Sequence, residues 1–125
     1  APLPSAKRCF KLGQAIARAV ASWHGSEKVV VLGTGGLSHQ LDGERAGFIN
    51  KAFDLQFMDS MVSDPTWATQ FDTYQLVEQT GTQGVELLMW LAARAALGSG
   101  VRKLHANYHI PISNTASGLM LLESV

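Results

Sequence analysis

The apolar run Val29-Val30-Val31-Leu32 empties directly into Gly33-Thr34-Gly35-Gly36. β-Branched residues favour extended backbone, and an unbroken apolar run of this length is the pattern of a strand buried on both faces. Such a strand belongs in a parallel or mixed sheet covered by helices. The glycine-rich turn behind it is too permissive for an ordinary surface loop. In open α/β sheets the loops leaving the carboxyl ends of strands border the ligand crevice. The segment that follows residue 32 is therefore where chemistry is sought first.

The flanking periodicities supply the helices. Ser5 is a good N-cap, and Phe10, Ile16, Val20 and Trp23 fall near one stripe, which predicts a helix over residues 5–23. His24-Gly25-Ser26 breaks it. Asn50 caps a second helix that carries Phe53, Phe57, Met58, Met61 and Val62 and stops at Asp64-Pro65. A shorter helix is expected over residues 72–79. Gly81-Thr82-Gln83-Gly84 separates it from an almost wholly apolar core helix over 85–97. Residues 101–110 read as a strand, 111–115 as a turn and 118–122 as a last buried strand. Helices alternating with buried strands predict an α/β fold, a mixed buried sheet flanked by helices.

At 125 residues the chain is of one-domain size, and its 46% apolar and 16% charged content is that of a globular protein. Ten basic residues balance ten acidic ones, so no global field favours nucleic acid or an anionic membrane. No apolar run approaches the ~20 residues of a membrane span. The lone Cys9 offers no disulfide framework, which suits a reducing cytoplasm. The opening Ala1-Pro2-Leu3-Pro4 lacks an initiator Met and reads as a connecting segment with something upstream of it.

Individually, the chemically able residues admit two readings. His39 stands on the loop beyond the glycines, where an imidazole could act as a general base or simply bond to backbone. Glu86 opens an apolar helix, where an acid complements the helix dipole or donates to a metal. Ser113 and Asn114 lie in a turn and either satisfy local backbone or present donors to a carboxylate ligand. His105 and His109 lack the Glu of H-E-x-x-H, and on a strand they stand ~13 Å apart, too far to share an ion. The Gly33–Gly36 turn has no Walker-type lysine and no complete G-x-G-x-x-G, so a phosphate cradle is a weak reading.

Taken together and in order, the blocks match a known pattern. Gly33-Thr34-Gly35-Gly36-Leu37-Ser38-His39-Gln40, Gly43-x-Arg45-Ala46-Gly47-x-Ile49-Asn50, Phe53-Asp54, the run Gly84 to Leu91 and the run Tyr108 to Ala116 resemble the catalytic subunit of class III extradiol ring-cleavage dioxygenases of the protocatechuate 4,5-dioxygenase and gallate dioxygenase type. The resemblance implies a non-haem Fe(II) enzyme that uses O₂ to cleave a catecholic acid. It implies Glu86 as an iron ligand, His39 as the acid–base residue, and Ser113 and Asn114 as binders of the substrate carboxylate. Ser-Asn at that turn points to protocatechuate, with gallate or methylgallate as the alternative. A small α subunit or domain and homodimerisation are implied as well.

One departure bears on all of this. The two histidine ligands of the family lie in an N-terminal half that has no counterpart here, and His24, His105 and His109 do not occupy their motif positions. The chain is therefore expected to be the C-terminal part of a single catalytic domain whose Fe(II) site is completed by histidines elsewhere. The competing expectation is a non-catalytic binding remnant of the same fold.

Overall fold

The computed structural model describes residues 3–125; Ala1 and Pro2 of the expected connecting segment lie outside the described residues. Helix α1 (Ala6–Ala21) starts where the sequence places it, with the Ser5 hydroxyl accepting from Arg8 N–H. Helix α2 (Lys51–Ser63) starts at Asn50, whose side-chain oxygen accepts from Phe53 N–H at 3.1 Å. Helix α3 (Thr73–Thr80) carries a full capping box, Asp72 and Gln75 each accepting from the other's backbone N–H. Helix α4 (Leu87–Ala95) is entered through a 3₁₀ turn at Gly84–Glu86, and another 3₁₀ turn spans Trp67–Gln70.

Strands β1 (Val101–His109) and β2 (Ser117–Ser124) pair antiparallel as a two-stranded sheet, with a register irregularity between Lys103 and His105. Helices with this small antiparallel sheet make an α/β fold. The hairpin's inner face, with Ala106, Tyr108, Met120 and Leu122, packs on the core, while Leu119 and Leu121 remain exposed. The last strand is thus covered on one face only, not buried as its composition suggests.

The run 29–32 departs from expectation. It forms no strand, and Val30 and Leu32 are 72% and 81% exposed. Apolar β-branched residues prefer extended backbone, but a strand exists only where a neighbour supplies the hydrogen-bond ladder. No such neighbour stands beside 29–32 among the described residues.

The core lies between α1, α2, α4 and the hairpin and is built on Phe57, Met61, Leu76, Leu87 and Leu91. Each side chain of this size contributes ~1.5–3 kcal/mol on full burial. Phe53, Trp67 and Phe71 cluster beside it with centroids 5.2–5.5 Å apart, Phe71 meeting the other two edge-on and Phe53 tilted against Trp67. Among the described residues the fully buried Arg94 has no acidic partner. Its guanidinium donates instead to the carbonyls of Gly98 and Ser99, capping the chain end of α4 with a cation.

Candidate functional site

The glycine turn is pressed against α4. A Cβ on Gly33 would sit 2.6 Å from the Met89 carbonyl, and Trp90 Nε1–H donates to Gly35 O at 3.0 Å. Gly35 has φ +125°, a region open essentially to glycine, and a Cβ there would meet the Glu86 side chain at 2.6 Å. Close packing thus accounts for these glycines without any phosphate. Beyond them, Leu37 N–H donates to Ala116 O at 2.9 Å and Ala116 N–H donates to Ser38 O at 3.2 Å, which ties the loop to the turn before β2.

His39 is 5% exposed and pinned from two sides. Its backbone N–H donates to Thr80 O at 2.8 Å, and its ring Nδ1 lies 2.8 Å from Leu37 O. A carbonyl oxygen only accepts, so Nδ1 carries a proton, and in the neutral imidazole the lone pair is on Nε2. The loop after it locks into the 79–84 segment: Leu41 N–H donates to the Gln83 side chain and Thr82 N–H to the Gln40 side chain. Arg45 and Asn50 cover the last carbonyls of α3, Arg45 donating to Glu78 O at 2.8 Å and Asn50 to Gln79 O at 2.9 Å.

Glu86 reaches the same turn from the 3₁₀ turn that leads into α4. Its Oε2 accepts from Gly36 N–H at 2.6 Å, a short charge-assisted bond. A Cβ on Gly36 would lie 3.3 Å from His39 Cε1, so the imidazole and the carboxylate flank one glycine. Ser113 and Asn114 are exposed on the turn that the loop is tied to. Asn114 holds φ +57°, which Asn tolerates better than most residues, and its amide reaches Gly47. Glu86 and Asn114 thus reach the stretch of chain, 35–47, that carries His39, while Ser113 stands beside Asn114 on the exposed turn. An open groove of about 250 Å³ elsewhere, between α2 and the hairpin, is lined by Met58, Val62, Ala106, Tyr108 and Met120 and contains none of the four.

Sequence reasoning passed over Asp54. It is fully buried, and its carboxylate accepts from Ser38 N–H at 3.0 Å, Ser38 Oγ–H at 2.6 Å and Tyr108 OH at 2.6 Å. Burial raises its pKa, and the Ser38 and Tyr108 donors together with His39 oppose that rise. Burial, and then the adjacent Asp54, push the Tyr108 phenol well above its ordinary value. The available signal was an acid at the inward positions of a helix otherwise lined by Phe53, Phe57 and Met58, since a carboxylate there must be paired.

The iron implied by the resemblance needs more donors than these residues bring together. Among the described residues no group of three or more His, Cys, Asp or Glu converges to hold a metal ion. One oxygen of Glu86 is taken by Gly36, so this chain fits at most one corner of such a site.

Residues 1–118 match the family of the catalytic LigB subunit of aromatic ring-opening dioxygenase. The chain belongs to that family. It is also 42% identical over 123 residues to a gallate dioxygenase of Pseudomonas putida, covering 98% of this chain and 36% of that protein. This LigB-family chain therefore spans little more than a third of the length of the curated relative it matches. No helix among its described residues is long and apolar enough to cross a membrane.

Proposed function

We propose that these residues are the C-terminal part of the catalytic domain of a non-haem Fe(II) extradiol dioxygenase, which opens the ring of a catecholic acid such as protocatechuate by 4,5-cleavage. The observation that carries this reading is that Gly36 donates to the Glu86 carboxylate while a Cβ on the same residue would touch the His39 imidazole, in a chain of the LigB family. Glu86 is the one iron ligand from this segment, and two histidines outside it complete the site. The ion supplies coordination positions for the catechol oxygens and for dioxygen. His39 takes a catechol proton at Nε2, the nitrogen its bond to Leu37 leaves free. Ser113 and Asn114 hold the substrate carboxylate with hydroxyl, amide and backbone donors. A small separate subunit or domain closes the site, the protein pairs with a second copy of itself, and the buried free thiol of Cys9 suits a reducing cytoplasm.

A gallate or methylgallate substrate is the second reading, favoured by the 42% identity to a gallate dioxygenase. The two are separated by loading the complete protein with Fe(II) and screening protocatechuate, gallate and methylated gallates for yellow ring-opened product. Turnover of protocatechuate above the others is expected, and turnover of gallate alone would replace the substrate assignment. Glu86→Ala should lose iron on metal analysis; full retention removes it as a ligand, and absence of turnover on every catechol would favour the non-catalytic remnant.

A further inference from the structure

We infer that Asp54 is a positioning residue for His39, acting through the single peptide group between Leu37 and Ser38. The inference rests on the reading of His39 as the proton acceptor. The N–H of that peptide group donates to Asp54 Oδ1 at 3.0 Å, and its carbonyl accepts from His39 Nδ1 at 2.8 Å. A peptide unit is planar and rigid, so fixing one end fixes the direction of the other. A carboxylate at the N–H end also polarises the amide and strengthens the bond its carbonyl accepts. The effect on His39 is that of a carboxylate bonded straight to an imidazole: one tautomer, one ring orientation, and Nε2 left as the basic atom.

The carboxylate is held to this task. Tyr108 OH and Ser38 Oγ–H both donate to Oδ2 at 2.6 Å, and Ser38 Oγ accepts from Asn50 N–H at 2.8 Å. Asp54 and Ser38 are fully buried, so water does not compete for these bonds. A buried acid is a costly way merely to join α2 to the hairpin, which an apolar contact would do as well. Its placement on the one peptide that orients the imidazole gives the cost a use.

The test uses the complete iron-loaded protein. Asp54→Asn keeps shape and can still accept from Ser38 N–H, but removes the charge. Its kcat should fall roughly 10–100-fold, the range for groups that orient a functional imidazole, with KM and iron content unchanged. Tyr108→Phe leaves the bond to Ser38 N–H intact and should cost much less. Nitrogen-15 NMR of the metal-free full chain should show His39 protonated at Nδ1, with an Nε2–H population appearing in Asp54→Asn. Wild-type kcat in Asp54→Asn, or an equal loss in Tyr108→Phe, overturns the inference. So does an Nε2–H tautomer in the unmutated protein, which decides the matter even if Asp54→Asn fails to fold. His39→Phe that keeps turnover would sink the proton-acceptor reading while leaving the tautomer measurement as it stands.

Discussion

Gly81 carries more of the site than its lack of a side chain suggests. Its φ of +83° and ψ of 168° fall in a region nearly restricted to glycine, and a Cβ would lie 2.4 Å from the carbonyl oxygen of His39. Gly81→Ala should therefore cost about 1–3 kcal/mol from backbone strain, with the clash added to it, measured by urea unfolding of the complete protein. An unchanged midpoint would mean that the two loops are not locked together. Asn114 separates backbone from side chain in the same way. Asn114→Gly keeps the left-handed turn and should raise KM for the acid substrate, whereas Asn114→Ala should add a loss of stability. Tyr108 gives a prediction in pH. With its folded-state pKa raised, the folded chain keeps the phenolic proton where the unfolded chain has lost it, so stability is whole below the ordinary tyrosine value of ~10 and falls as pH rises past it. Tyr108→Phe should flatten that alkaline loss in pH-dependent denaturation; an identical slope contradicts the account. At this scale the sequence was readable where a residue's type limits its use, as at Gly33 and Gly35, where packing against α4 and Glu86 leaves no room for a side chain. Asp54 was not, because its meaning lies in partners 16 and 54 positions away.

The helices were legible because their signals are local. Ser5, Asn50 and Asp72 cap the elements they precede, and Phe53, Phe57, Met58 and Met61 of α2 face the core. The stripe expected on α1 holds less well: the helix buries Ala6, Cys9 and Gly13, and Trp23 lies exposed beyond its end. The run 29–32 was misread for the opposite reason: β-branched composition reports what a segment could pair with, and pairing depends on residues elsewhere. The hairpin was found, but its burial was overstated, since only alternate residues reach the core. How closely α1 sits on α4 was not foreseeable from periodicity. A Cβ on Gly13 would lie 2.1 Å from the Ala92 carbonyl and 2.5 Å from Ala95 Cβ. Gly13→Ala raises helix propensity by about 1 kcal/mol yet should destabilise the protein by a further 1 kcal/mol or more, because the helices must separate. Denaturant midpoints read this directly, and a stabilised variant would show that the helix contact yields.

On the whole molecule the exposed apolar residues and the length of the relative point the same way. Val30 and Leu32 lie open beside the glycine turn, as do Leu119 and Leu121 on the outer face of the hairpin, while the family member it resembles is nearly three times as long, since this chain spans 36% of it. If the rest of the catalytic domain covers 29–32, Val30→Lys and Leu32→Lys should lower the melting temperature of the complete protein by several degrees. Unchanged melting would leave that surface to solvent. The α/β class was legible across the full length; that the sheet has two strands only among the described residues, with 29–32 outside it, was not, because strand pairing is not a local property. In the proposed function, ring cleavage depends on His39 as the proton acceptor. The direct measurement is ring-cleavage turnover of His39→Phe in the complete Fe(II)-loaded protein, with iron content measured on the same sample. Turnover should fall by ~10²–10⁴-fold at unchanged iron, the usual worth of a general base; wild-type turnover would contradict the account.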